Sequence, residues 1–197
     1  MNFQAAKAFI LNQLDVHLSD TLYYHGKHHT LDVLKISEKL ASIENLKADD
    51  VTLLLTAALY HDSGFTRSYS DHEKHGCDIA RESLPQFNYS KNDVEKICGM
   101  IMSTKIPQSP QTKLEEIICD ADLDYLGRND FYTIGNTLFQ ELKERNFVAS
   151  VDQWNDIQIR FLDNHHYFTT TNIETREERK QEYLRELKQG QVAQKNI

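Results

Sequence analysis

LLLTAALYHDSG, residues Leu53 to Gly64, is an apolar run that ends by setting a histidine beside an aspartate. Asp49 and Asp50 ahead of it are N-cap residue types, Val51 to Tyr60 is apolar apart from its threonines, and Gly64 offers a left-handed stop. The stretch therefore predicts a helix that ends at the doublet. A helix this apolar is covered on most sides. It carries His61 and Asp62 inward, where an isolated ionised carboxylate is strongly penalised unless it is paired or binds a metal. Alone, the doublet reads as a core histidine hydrogen-bonded to its neighbour or to a backbone carbonyl. Any other reading needs partners elsewhere in the chain.

With 197 residues, 40% hydrophobic and 26% charged, the chain is long enough to close one core, and a single domain over residues 1–197 is expected. Seven glycines and three prolines leave few breaks, which favours an all-α helical architecture over a many-turned β one. The net charge of −8 argues against a nucleic-acid surface, which needs clustered Lys and Arg. A small anionic substrate remains compatible, because one metal ion and a few local cations reverse the potential inside a pocket. No apolar run approaches the ~20 residues of a membrane span. The start, MNFQAAKAFI, lacks a signal-peptide pattern, so a cytoplasmic protein that does not engage membranes is expected. Cys77, Cys98 and Cys119 form no CxxC pair and leave an odd number. Buried, reduced thiols are expected, not a disulfide framework or a thiolate zinc site.

Helical spacing of Phe3, Ala6, Phe9, Ile10 and Leu14 predicts a first helix. The loop Tyr23-Tyr24-His25-Gly26-Lys27-His28-His29-Thr30 follows, with Thr30 as the expected cap of a second helix whose buried side is Leu31, Leu34, Ile36, Leu40 and Ile43. His29 thus lies at a helix start. Beyond the doublet, a polar loop containing Arg67 leads into a helix that begins around Asp71-His72-Glu73 and is broken by Pro85. Ser90 to Asp93 has the form of a capping box, and Ser150 to Gln153 repeats it ahead of Trp154, Ile157 and Phe161. Thr175 to Glu178 is expected to open a charged last helix.

The second informative stretch is IICDADLDYLG, with carboxylates at Asp120, Asp122 and Asp124. Each step of two turns a helical side chain through about 200°, so the three cannot share one face. Asp122 lies four residues after Ile118 and four before Leu126, which puts it on the apolar face, while Asp120 and Asp124 align with Glu116 on a more polar side. Asp122 is therefore the one expected to be buried, with a metal, an arginine or backbone donors as its partner. His29, the His61-Asp62 pair and Asp122 are ligand-type residues from separate elements, as in a site built inside a helical bundle. Two imidazoles and two carboxylates suit Mn²⁺, Fe²⁺, Co²⁺, Ni²⁺ or Zn²⁺ with positions left for water.

In the order YHGKHHT, ALYHDSG and ICDADLD, the sequence resembles the HD-domain superfamily of metal-dependent phosphohydrolases, and most closely its small single-domain bacterial members. The resemblance covers about residues 20–130, with the helices from about 130 to 188 as a family-specific extension. It implies a helical bundle of the HD type with a metal site between central helices. It makes His29, His61, Asp62 and Asp122 the metal ligands, with His28 and Asp120 as the competing choices, and it makes Asp62 the partner of an attacking water. His72 resembles the histidine that some members use for a second metal or for the leaving group; on the residues alone it could equally be a surface residue. The ion is one divalent metal, Mg²⁺ included, or two. Arg67, Lys105 and Arg128 are candidate contacts for a small phosphorylated, nucleotide-like substrate. Two other readings stay open: a metal- and nucleotide-binding sensor or structural module without turnover, and a di-iron oxygenase, which needs two extra histidines where the chain offers only His72 and His75 before a histidine-free stretch up to His165.

Overall fold

The structure is a computed structural model that describes the backbone of residues 1–195 and the side chains of residues 1–190. The described residues form nine α-helices and no strand, the all-α architecture expected. They divide into two units, Met1–Asp122 and the part that begins at Leu123. No described helix is long and apolar enough to cross a membrane.

The first unit holds α1 (Phe3–His17), α2 (Lys27–Ile43), α3 (Ala48–Tyr60), α4 (His72–Ser83), α5 (Lys91–Ser103) and α6 (Lys113–Asp122). The central element is α3, which packs against all five others. Asp49 and Asp50 sit in its first turn, where the helix dipole favours negative charge, two and three positions past the cap, which is Lys47 and not one of them. Leu53, Leu54 and Leu59 are buried, each contributing about 1.5–3 kcal/mol. The run that delivers His61 is thereby fixed in the core. At α5, the Ser90–Asp93 capping box forms as expected, with both reciprocal hydrogen bonds present.

Local departures have identifiable causes. Helix α2 starts at Lys27, not after Thr30, because Gly26 is its N-cap: the Gly26 carbonyl accepts from His29 N at 3.0 Å. Thr30 is buried inside the first turn, and the buried face runs through Val33, Leu34, Ser37 and Leu40, while Leu31 and Ile43 are exposed. Gly64 is not a left-handed stop, since no glycine here has positive φ. His61 keeps helical angles, and Gly64 falls in a 3-10 turn, Ser63–Thr66. Its role is space. A Cβ there would overlap the His72 carbonyl oxygen and come 2.7 Å from the His72 carbonyl carbon and 2.8 Å from Gly76 N. The missing side chain lets the start of α4 close onto the doublet.

The second unit holds a 3-10 turn, Asp124–Gly127, then α7 (Phe131–Glu144), α8 (Val151–Asn164) and α9 (Thr170–Lys195). The Ser150 hydroxyl caps α8 by accepting from Gln153 N at 3.2 Å. Helix α9 begins five residues before Thr175, with Thr169 Oγ1 accepting from Asn172 N.

Asp120 and Asp124 are both buried, at 0% and 1% exposure, and neither lies on a polar side. Asp122 is the more open of the three, its side chain 13% exposed. The wheel fails because α6 stops at Asp122 and its last turns are covered all round, from Ile117 to Ala121. Asp124 lies beyond the helix and pairs with Arg176 Nε at 2.8 Å.

Candidate metal centre

Helix α2 supplies His29 from its first turn, the end of α3 supplies His61 and Asp62, and α6 supplies Asp122 as its last residue. The structure brings these four together. His29 Nε2 and His61 Nε2 lie 3.4 Å apart. Asp122 Oδ1 is 3.1 Å from His29 Nε2 and 3.6 Å from His61 Nε2, and Asp62 Oδ2 is 3.5 and 3.3 Å from the same two nitrogens. One ligand atom each from His29, His61 and Asp122 falls within 4.8 Å of the others. His28, the competing choice, is exposed.

The ring of His61 is oriented by its other nitrogen. Nδ1 lies 2.9 Å from the Ala58 carbonyl oxygen, an acceptor only, so Nδ1 carries a hydrogen and Nε2 is the nitrogen that faces the cluster, free to bind a cation once its own proton is displaced. Tyr24 packs on His29 with ring centroids 4.6 Å apart, which fixes that imidazole.

The donor set fits a divalent ion. Asp62 Oδ2 is buried and has no hydrogen-bond partner among the described residues, a costly state for a carboxylate oxygen unless a cation meets it. Ligands held at about 2.1 Å from a first-row ion stand about 3.0–3.4 Å from one another, close to the separations found here. The charges are tuned accordingly. Burial opposes charging of His61, but the Asp62 and Asp122 carboxylates outweigh it and hold its pKa well above the ordinary value. Burial likewise opposes ionisation of Asp122, and hydrogen bonds from His29 and His61 bring its pKa down to about 2. Asp62 is depressed further by His61, His25 and His29.

His72 stands beside this cluster, its Nε2 3.5 Å from Asp62 Oδ1 and stacked on Phe65 at 4.0 Å. Burial lowers its pKa, partly offset by Asp62 and Glu73. Two neighbours were not singled out from the sequence. Buried Glu73 places Oε1 3.5 Å from His72 Nε2. His25 packs on Phe65 at 4.4 Å, with its centroid 6.1 Å from His72 and 6.2 Å from His29. The spacing of His25 four residues before His29 was the available signal; Glu73 gave none, since DHEKH reads as a solvated helix start.

The three candidate phosphate contacts divide. Lys105 Nζ lies 2.9 Å from Asp71 Oδ1, one residue from His72, and is half exposed. The Arg67 guanidinium is engaged by Glu82 through both terminal nitrogens. Arg128 belongs to the second unit, where it pairs with Asp130 at 2.9 Å and lies 3.6 Å from Asp124. His75 lies 4.0 Å from Asp78.

Comparison with known proteins points to a family. The model of the HD domain matches residues 26–124, a span that contains His29, His61, Asp62, His72 and Asp122. Among solved structures, the chain is similar to a "predicted HD superfamily hydrolase" from an uncultured Thermotogales bacterium, with 23% identity and a TM-score of 0.55, over 79% of this chain and 91% of that one. That likeness concerns the fold. No curated protein matches the chain. With the family model spanning half of its length, the chain belongs to the HD domain family, whose superfamily is one of metal-dependent hydrolases.

Proposed function

We propose that this protein is a metal-dependent phosphohydrolase that cleaves a phosphate ester of a small, nucleotide-like molecule. The observation that carries the reading is Asp62 Oδ2, buried without a well-formed hydrogen bond between the Nε2 atoms of His29 and His61. His29, His61, Asp62 and Asp122 would hold one divalent ion. When bound, such an ion supplies Lewis acidity and lowers the pKa of a water.

The remaining chemistry falls to side chains. Asp62 would help hold the ion, and its Oδ1, on the His72 side, would orient the attacking water and take its proton. His72 would meet the leaving oxygen through Nε2, where the Asp62 and Glu73 carboxylates, each 3.5 Å away, offset the effect of burial on its charge. Lys105 supplies positive charge near the start of α4 for a phosphate, which offsets the net charge of −8 locally. Phe65, with His25 and His72 packed on it, keeps bulk water from that side.

The test is a screen of the purified protein, loaded with Mn²⁺, Co²⁺ or Ni²⁺, against phosphomonoesters, nucleotides and cyclic nucleotides. Hydrolysis of at least one class, lost on Asp62→Ala, is the expected result. Nucleotide binding by metal-loaded protein with no turnover of any class would favour a sensor.

A further inference from the structure

Outside the metal cluster, the first unit holds a second pair of reactive side chains. Cys77 in α4 and Cys98 in α5 are buried, at 2% and 3% exposure. Cys77 Sγ donates to the Cys98 carbonyl at 3.5 Å, and Cys98 Sγ donates to the Cys77 carbonyl at 3.7 Å. Each sulfur therefore lies against the backbone from which the other springs. The two side chains are thus directed at one another and not apart, as a disulfide requires. Cys119 provides a contrast within the same unit. Its sulfur donates to the Ser103 carbonyl at 3.1 Å and to the Ser103 hydroxyl.

We propose that Cys77 and Cys98 form a reversible intramolecular disulfide that ties α4 to α5. The oxidant is hydrogen peroxide, small enough to enter during local opening. The Cys98 thiolate attacks one peroxide oxygen and the O–O bond breaks. Cys98 becomes a sulfenic acid, and the departing hydroxide takes up the thiol proton as water. The Cys77 sulfur then attacks the sulfenic sulfur. The S–S bond forms, the S–OH bond breaks, and its oxygen leaves with the Cys77 proton as a second water. Two thiols and one peroxide become one disulfide and two waters. The contacts are reciprocal, so either cysteine can take the first step. Helix α4 begins at His72, so the link would brace the helix that carries this histidine.

The experiment uses the full chain, folded and metal-loaded. It is treated with hydrogen peroxide, its remaining thiols are alkylated in denaturant, and its peptides are mapped by mass spectrometry. The expected result is loss of two of the three alkylatable cysteines, with a Cys77–Cys98 cross-linked peptide, Cys119 alkylated, and full reversal by dithiothreitol. Cys119→Ala should leave the cross-link intact, and Cys98→Ser should abolish it. All three cysteines alkylated after peroxide, sulfinic or sulfonic acid at Cys77 or Cys98 without the cross-link, or links only to Cys119 or between chains would overturn the proposal.

Discussion

His29 and His61 meet across 3.4 Å, Nε2 to Nε2, although 31 residues separate them in the chain. Two lone-pair donors do not approach in this way for each other's sake. A proton or a cation must lie between them, and the Asp62 and Asp122 oxygens beside them make a divalent ion the better occupant. The predictions below follow from that arrangement and from the packing that fixes it.

Asp62→Asn keeps an oxygen that can face the ion but removes the base. General acid–base steps contribute about 10²- to 10⁴-fold, so kcat should fall by at least about 100-fold while substrate KM changes little. Steady-state kinetics on whichever ester the screen identifies would check this.

Metal-free protein should depend on pH in the opposite sense to metal binding. The folded pKa of His61 is raised, so its contribution to stability is fully present below the unfolded value of about 6.5 and is lost as pH rises through the folded value. Asp122 is depressed to about 2, so its contribution is present above the unfolded value of about 3.9 and is lost as pH falls toward 2. Stripped protein should therefore melt at lower temperature at pH 9 than at pH 6. Metal must displace the His61 proton, so affinity should rise over the same interval. Melting curves with and without Mn²⁺ should show a gap that widens with pH.

Gly64→Ala should act on His72. Its Cβ would come 2.7 Å from the His72 carbonyl carbon and 2.8 Å from Gly76 N, backbone atoms that cannot swing away. Overpacking of this kind costs about 1–3 kcal/mol. The expected outcome is a lower denaturant midpoint and reduced kcat with metal content retained.

Asp124→Ala should destabilise the second unit. Asp124 is 1% exposed and accepts from Arg176 Nε at 2.8 Å and from Asn172 Nδ2 at 3.4 Å. Breaking a buried pair costs about 3–5 kcal/mol, with the low end expected here because Arg176 keeps 19% of its side-chain exposure. Urea unfolding followed by circular dichroism would measure the loss.

The doublet was legible because its cause is local: an apolar run of ordinary helix length ends in His61-Asp62 whatever surrounds it. Asp122 was singled out by a wheel that extended α6 past its true end; it does face the cluster, but Asp120 and Asp124, expected on a polar side, are buried more deeply still. Gly26 displaced Thr30 as the cap of α2 because a backbone carbonyl served where a side chain was expected. The engagement of Arg67 by Glu82, 15 residues away, and the burial of Glu73 depend on how helices meet, which no local pattern records.

The central claim is that His29, His61, Asp62 and Asp122 hold one divalent ion. Elemental analysis of the wild-type protein and of His61→Ala, each confirmed as folded by circular dichroism after loading with Mn²⁺ and gel filtration, tests it most directly. The account predicts about one ion per chain in the wild type and a loss of at least about 10-fold in the variant, since even indirect supports of a metal cost 10- to 100-fold in affinity. Equal metal content in the two proteins, or none in the wild type, would contradict it.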